Sequence, residues 1–273
     1  MEIVHKSEVL NLKYLILRND DIDYFSNVLF LKILKEEIKP FKQTFGIIPY
    51  TKMGNNEYCI CDNLELINLL QESDYNALHG IFHEYSLGCF EFFNVEPKDP
   101  IINKLKVIKE NNFFNIKTFI PPHNYISDEW IDLLKKYGFQ IFSGTKRAFY
   151  KNEEQKILFE TRDEVECGII RREKYYSIPQ GVMIKRKNYY KIHDYFCKLL
   201  KAIDIYYQFV DVLVLTIHWW DFFNKGFVDM KYYKDFINFM HELNKREIIS
   251  ISFNEASNFE MSANLPSNIF DLE

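Results

Sequence analysis

The 273-residue sequence is poor in glycine, with nine in all, and none forms a GxGxxG or GxxxxGK[ST] run behind an apolar strand. The usual dinucleotide and nucleotide phosphate cradles need glycine for close backbone approach, so they are excluded. Cysteine is scarce as well. Cys59, Cys61, Cys89, Cys167 and Cys197 make an odd set of five with no CxxC pair. Cys59-Ile60-Cys61 is spaced too tightly for the common zinc pattern, and reduced structural thiols are expected. A basic surface is missing too. With 34 Lys and Arg against 39 Asp and Glu, the net charge is −5 and the pI about 5.9, which leaves no footprint for nucleic acid. No apolar run reaches the roughly 18 residues of a membrane span. The opening MEIVHKSEVLNLKYLIL breaks with acids the apolar core that a signal peptide needs. Together these absences lead to the expectation of a soluble, cytoplasmic protein without a membrane span.

What is present is ample core material, 47% hydrophobic residues and 17% aromatics. The length suits a single α/β domain over residues 1–273, since barrels of this class commonly run to about 250 residues. Strand and helix signals alternate. Strands are expected at Lys13–Leu17, Thr44–Tyr50, Asn76–Ile81, Thr118–Pro121, Phe139–Phe142, Gly181–Ile184, Val212–Ile217 and Glu247–Phe253. Helices are expected at Phe30–Ile38, from Asp62 or Asn63 to Leu70, and at Asp99–Asn111, Asp128–Tyr137, Tyr189–Ala202 and Tyr232–Leu243. That alternation describes parallel βαβ units. The charged, unperiodic stretch Arg147–Tyr175 reads as an insertion or a loop over one face. An open doubly wound sheet is the alternative, but the missing glycine motifs tilt the reading towards a barrel.

Polar residues gather where those strands end. The run YLIL stops at Arg18-Asn19-Asp20-Asp21, two adjacent carboxylates where repulsion and desolvation raise their cost; Asp and Asn also serve as helix caps. The third strand runs into His79-Gly80-Ile81-Phe82-His83. Histidines four apart share one face of a helix or helical turn, and two imidazoles with a carboxylate can make a catalytic metal site; the spacing alone equally describes ordinary surface or core histidines. The metalloprotease HExxH is excluded, because Gly80 stands where its glutamate belongs. The fourth strand ends in Phe119-Ile120-Pro121-Pro122-His123-Asn124, where successive prolines either simply terminate the strand or fix the backbone and leave the His123 N–H to face a cavity. The late strand ends in His218-Trp219-Trp220, either a sugar-stacking wall or core aromatics. All four clusters fall at the carboxyl ends of parallel strands, the face on which barrels build active sites.

The order Asp-Asp, HxxxH, FxPPxN, strand-end His resembles the polysaccharide deacetylase superfamily, also called the NodB-homology family or carbohydrate esterase family 4. The likeness spans about Tyr14 to Trp219 and matches a divergent branch of deacetylase-like domains. It implies a distorted (β/α) barrel of about seven parallel strands, with Asp20 as general base and Asp21, His79 and His83 holding one divalent ion, zinc first and cobalt, nickel or manganese as alternatives. It also implies His218 as the acid for the leaving amine, with the His123 N–H at the oxyanion. Arg18, Phe119, Asn124, Trp219 and Trp220 are then expected at the substrate. Three positions depart from the pattern. Asn19 replaces an aromatic, Gly80 replaces Ser or Thr, and Ile120 occupies the place of the arginine that holds the base; the DxxDW partner of that arginine is also missing.

The implied activity is hydrolytic removal of an acyl group, N-acetyl first, from an amino sugar of a polysaccharide or its nucleotide- or lipid-linked precursor. N-deformylation of a sugar precursor uses the same constellation. A carbohydrate-binding protein of impaired activity is the alternative from another class.

Overall fold

In the computed structural model, eight parallel strands curl into half a barrel with helices along the outside. Residues 12–73, 75–86, 89–93, 99–110, 116–144, 164–171, 175–178, 180–208, 211–258 and 261–266 are described. The strands are β1 (Tyr14–Ile22), β2 (Gln43–Ile47), β3 (Asn76–Leu78), β4 (Thr118–Phe119), β5 (Ile141–Phe142), β6 (Tyr176–Ser177), β7 (Val182–Met183) and β8 (Val212–His218). Their order across the sheet is β7-β8-β1-β2-β3-β4-β5-β6, and a short β9 (Ile249–Ser250) pairs with the start of β1. The helices are α1 (Val28–Glu37), α2 (Leu64–Gln71), α3 (Asp99–Glu110), α4 (Asp128–Lys136), α5 (Arg186–Lys191), α6 (Tyr195–Tyr206) and α7 (Met230–Asn244).

Parity along the two central strands decides what faces where. Successive strand side chains point to opposite faces. On β1, Leu15 and Leu17 pack outward with α1, α6 and α7, and on β8 Leu213, Leu215 and Ile217 do the same. Ile16, Val212 and Val214 point the other way, into a smaller inner cluster with Ile141, Ile178 and Phe253 that plugs the base of the curl. Arg18 and Asp20 continue the inner face of β1, as Thr216 and His218 continue that of β8. The inner face therefore changes from apolar to polar towards the carboxyl ends of the strands. A second outer cluster joins α2 and α4 to β2, β3 and β4.

Most elements match the expectation, and the differences have local causes. The helix expected over Tyr189–Ala202 is two, α5 and α6, because Asp194 takes a left-handed backbone (φ 54°) between them. The strand expected at Asn76–Ile81 stops at Leu78, and Gly80 (φ 75°) turns the chain. His79 and His83 thus sit on a tight loop rather than a helical turn. The Arg147–Tyr175 stretch lies largely outside the described residues; within it, Glu164–Arg171 is a strand antiparallel to β6 and to Met261–Pro266. Cys59, Cys61 and Cys197 are unbridged, whereas the side chains of Cys89 and Cys167 lie outside the description. Among the described residues no helix is long and apolar enough to cross a membrane.

Candidate active site

The carboxyl ends of β1, β3 and β8 meet the loop after β4 around a cavity of about 450 Å3. Asp20 and His218 are the last rung of the β1–β8 ladder, so sheet register alone puts them side by side. One residue later Asp21 turns left-handed (φ 61°), which swings its carboxylate over the mouth. Its Oδ1 lies 3.2 Å from His79 Nε2 and 3.4 Å from His83 Nε2, and its Oδ2 lies 3.8 Å from His218 Nε2. Trp219 Nε1 donates to the Asp21 carbonyl and Trp220 Nε1 to Asp21 Oδ2, each at 2.9 Å. Among the described residues, four of the seven non-glycine residues with left-handed backbone are Asp21, His83, His123 and Asn124. Such backbone costs about 1–3 kcal/mol per residue and collects at functional sites.

The histidine loop is built by a residue with no counterpart in the motif. The buried Glu91 carboxylate accepts the backbone N–H groups of Ile81 (3.1 Å), Phe82 (2.9 Å) and His83 (3.0 Å). Burial pushes its pKa up to about 7, against the pull of those three donors. A Cβ on Gly80 would lie 2.6 Å from Glu91 Oε2 and 2.5 Å from Pro122 Cγ. The loop therefore excludes the Ser or Thr of the family pattern. On the inner side, His79 Nδ1 meets the Ile120 carbonyl at 3.0 Å. A carbonyl can only accept, so Nδ1 carries the proton and the Nε2 lone pair faces Asp21.

Three electron-pair donors thus converge: Asp21 Oδ1, His79 Nε2 and His83 Nε2, all within 4.8 Å of one another. Asp21 Oδ1 is buried and has no hydrogen-bond partner. A buried carboxylate oxygen facing two imidazole lone pairs needs a cation, and one carboxylate with two imidazoles is the donor set of a divalent transition metal. The residues present fit such an ion. Without it the site is electrostatically divided. Burial raises the pKa of Asp21, but the facing His79, with His83 and His218, outweighs it and holds the carboxyl well below the usual range. Burial also opposes the charge on His79, and the facing Asp20 and Asp21 overcome it and raise its pKa. Burial and the neighbouring His79 pull His83 down to about 4. Burial holds His123 and His218 below their ordinary values.

The remaining candidates fall into two groups. His123 lines the cavity with its ring 4.7 Å from that of His83. Trp220, 46% exposed, covers His218 with ring centroids 5.0 Å apart at the cavity rim. Phe119 does not line the cavity. It is fully buried in the outer cluster against Phe92 and Phe139, because its parity on β4 points it at the helices. Trp219 packs against the core and braces Asp21. Arg18 is 1% exposed and bonded to Asp20, and Asn124 is bonded to Arg18 and Gln180. Their polar groups are bonded to protein partners, although both residues line the cavity. Glu91, Ser143 and Gln180 were not legible as site residues, since their partners lie far away in sequence.

No family model matches the sequence, and no curated protein sequence matches it. Solved structures do. A structure assigned as a polysaccharide deacetylase from Mycobacterium smegmatis superposes with a TM-score of 0.56 at 13% identity, over 90% of each chain. A carbohydrate esterase family 4 pseudoenzyme from Bacillus anthracis gives 0.51 at 10% identity, over 90% of this chain and 66% of that one. The chain has the polysaccharide deacetylase fold. A 4-alpha-glucanotransferase from Thermococcus litoralis gives 0.52 at 13% identity, over 93% of this chain and 41% of that one. The same backbone thus accompanies different chemistries, and the reaction must be argued from the site.

Proposed function

We propose that the protein is a metal-dependent hydrolase that removes an acyl group, acetyl first, from the nitrogen of an amino sugar. The observation that carries this reading is the convergence of Asp21, His79 and His83 beside a separate buried carboxylate, Asp20, and a strand-end imidazole, His218. Asp21, His79 and His83 would hold the divalent ion, zinc before cobalt, nickel or manganese. When bound, such an ion supplies Lewis acidity, polarising an acyl oxygen and lowering the pKa of a water. Asp20 takes the proton of the attacking water. His218, protonated, gives a proton to the departing nitrogen as the C–N bond breaks and recovers one from Asp20, so the products are a carboxylic acid and a free amine. General-base help of this kind is worth about 10²–10⁴-fold. The His123 N–H supports the oxyanion, and Trp220 stacks on the sugar.

Two features bear on the substrate. Lys185 and Lys187 line the same cavity, which favours a sugar carrying a phosphate link to a nucleotide or lipid, in keeping with a cytoplasmic location. Formyl and acetyl differ by one methyl, so a deformylase uses the same residues. A carbohydrate-binding protein of impaired activity is favoured by one observation, the apolar Ile120 at the place of the motif arginine. Acetate and formate release from N-acylated glucosamine, free and as its uridine diphosphate conjugate, separates these readings. Release abolished by a chelator and restored by zinc supports the hydrolase. Saturable sugar binding without release in zinc-loaded protein refutes it.

A further inference from the structure

We propose that Arg18 is the positioning residue of the general base, supplying from inside β1 the guanidinium that Ile120 does not. The inference rests on the hydrolytic reading above. Residues two apart on a strand share a face, so Arg18 and Asp20 stand together on the inner side of the curl. Arg18 Nε and Nη2 both donate to Asp20 Oδ2, at 2.9 and 2.6 Å. The other donations are inward too. Nη1 goes to the Ser143 carbonyl at 2.9 Å and to Ser143 Oγ at 3.0 Å. Nη2 also reaches Asn124 Oδ1 at 2.9 Å and Gln180 Oε1 at 3.3 Å. All three guanidinium nitrogens are engaged, and the side chain is 1% exposed.

The opposite oxygen of the carboxylate is confined as well. A Cβ built on Gly46 would lie 2.7 Å from Asp20 Oδ1, so β2 closes in where Arg18 does not. The carboxylate is held between a forked cation and a bare stretch of backbone. Arg18 is itself fixed, because Asn124 Nδ2 donates to Gln180 Oε1 at 2.7 Å and these two amides clasp the guanidinium from the loop after β4 and the segment before β7.

The chemistry of that outer ring matters. Apart from Asp20, the groups accepting from Arg18 are amide, carbonyl and hydroxyl oxygens without formal charge. A carboxylate in that position would share the guanidinium's charge; here the charge is left for Asp20. This explains why the motif arginine and its acidic partner are missing together. The cation has moved to the strand that carries the base, and neutral acceptors suffice to orient it.

The test compares Arg18→Met, Arg18→Lys and wild type in zinc-loaded full-length protein, by zinc titration calorimetry, steady-state acyl release and crystal structures. The expected result is unchanged zinc stoichiometry, since Arg18 touches none of the three ligands. Turnover should fall about 10²-fold or more in Arg18→Met with KM within about threefold, and about tenfold in Arg18→Lys, which keeps the charge and loses the fork. Millimolar guanidinium, but not sodium, should restore part of the Arg18→Met turnover. A raised KM with unchanged kcat would make Arg18 a substrate contact and overturn the proposal. If wild type itself proves inactive, the hydrolytic reading fails, and Arg18 is then judged from the crystal structures. An Asp20 carboxylate displaced in Arg18→Lys or Arg18→Met upholds the positioning role, and one left in place refutes it. Should Arg18→Met not fold, Arg18→Lys and Gln180→Ala carry the same readouts.

Discussion

The groove between α5, α6 and α7, about 660 Å3, is larger than the barrel-mouth cavity of about 450 Å3, yet its polar groups satisfy one another. Tyr189 donates to Asp235 at 2.5 Å, Lys231 donates to Tyr189, and His193 lies against Asp194 at 2.8 Å. At the mouth the opposite holds. Asp20 Oδ1, Asp21 Oδ1 and His218 Nδ1 are buried without hydrogen-bond partners, and the backbone beneath them is strained. Unmet polar demand in a buried site is costly unless a ligand meets it. Volume alone would point to the wrong concavity; unsatisfied chemistry points to the smaller one.

The sharpest way to break this contrast is to remove the convergent donors. Asp21→Asn or His79→Ala is expected to lose the bound ion and reduce acyl release to background, read as zinc per chain by elemental analysis beside turnover. Next in size is Asp20→Asn, which keeps the ion and loses about 10²–10⁴-fold in kcat; loss of zinc in this variant would cancel the division of labour between the two acids. Glu91→Ala strips the acceptor from three loop N–H groups. Zinc affinity is expected to fall about 10–100-fold, measured by competition with a chromophoric chelator, with a lowered Tm. Trp220→Ala should raise KM several-fold and leave kcat nearly unchanged. Smallest is Tyr189→Phe in the larger groove, expected to leave turnover unaltered and to shift stability by no more than about 0.5 kcal/mol. A clear activity loss there would show that the two concavities are coupled.

Which parts could be read from the sequence follows from the range of the forces involved. The alternation of β1 and β8 is short-range, so the strands and the polar switch at their ends are visible in YLILRNDD and VLVLTIH. The three residues proposed as ligands are legible through the likeness of the Asp-Asp and HxxxH order to the deacetylase pattern, since taken singly Asp also caps helices and histidines also fill cores. The shape of their loop is not. Histidines four apart suggest a helical turn, but Gly80 and the distant Glu91 impose a different one, and a carboxylate closing a loop leaves no periodic trace. Phe119 misleads for a related reason. In a strand of two residues nothing local fixes which side chain faces the helices. Arg18 reads as a strand-end cation available to substrate until Ser143 and Gln180, 125 and 162 residues away, claim its donors.

The rung shared by Asp20 and His218 has an evolutionary corollary. On the proposed reading, the separation between proton acceptor and proton donor is dictated by interstrand hydrogen bonding, the least negotiable distance in the protein. Mutations that rebuild the surrounding loops can then explore new sugars or acyl groups while the proton-handling pair keeps its spacing. Such a scaffold permits drift in specificity without retuning of the reaction.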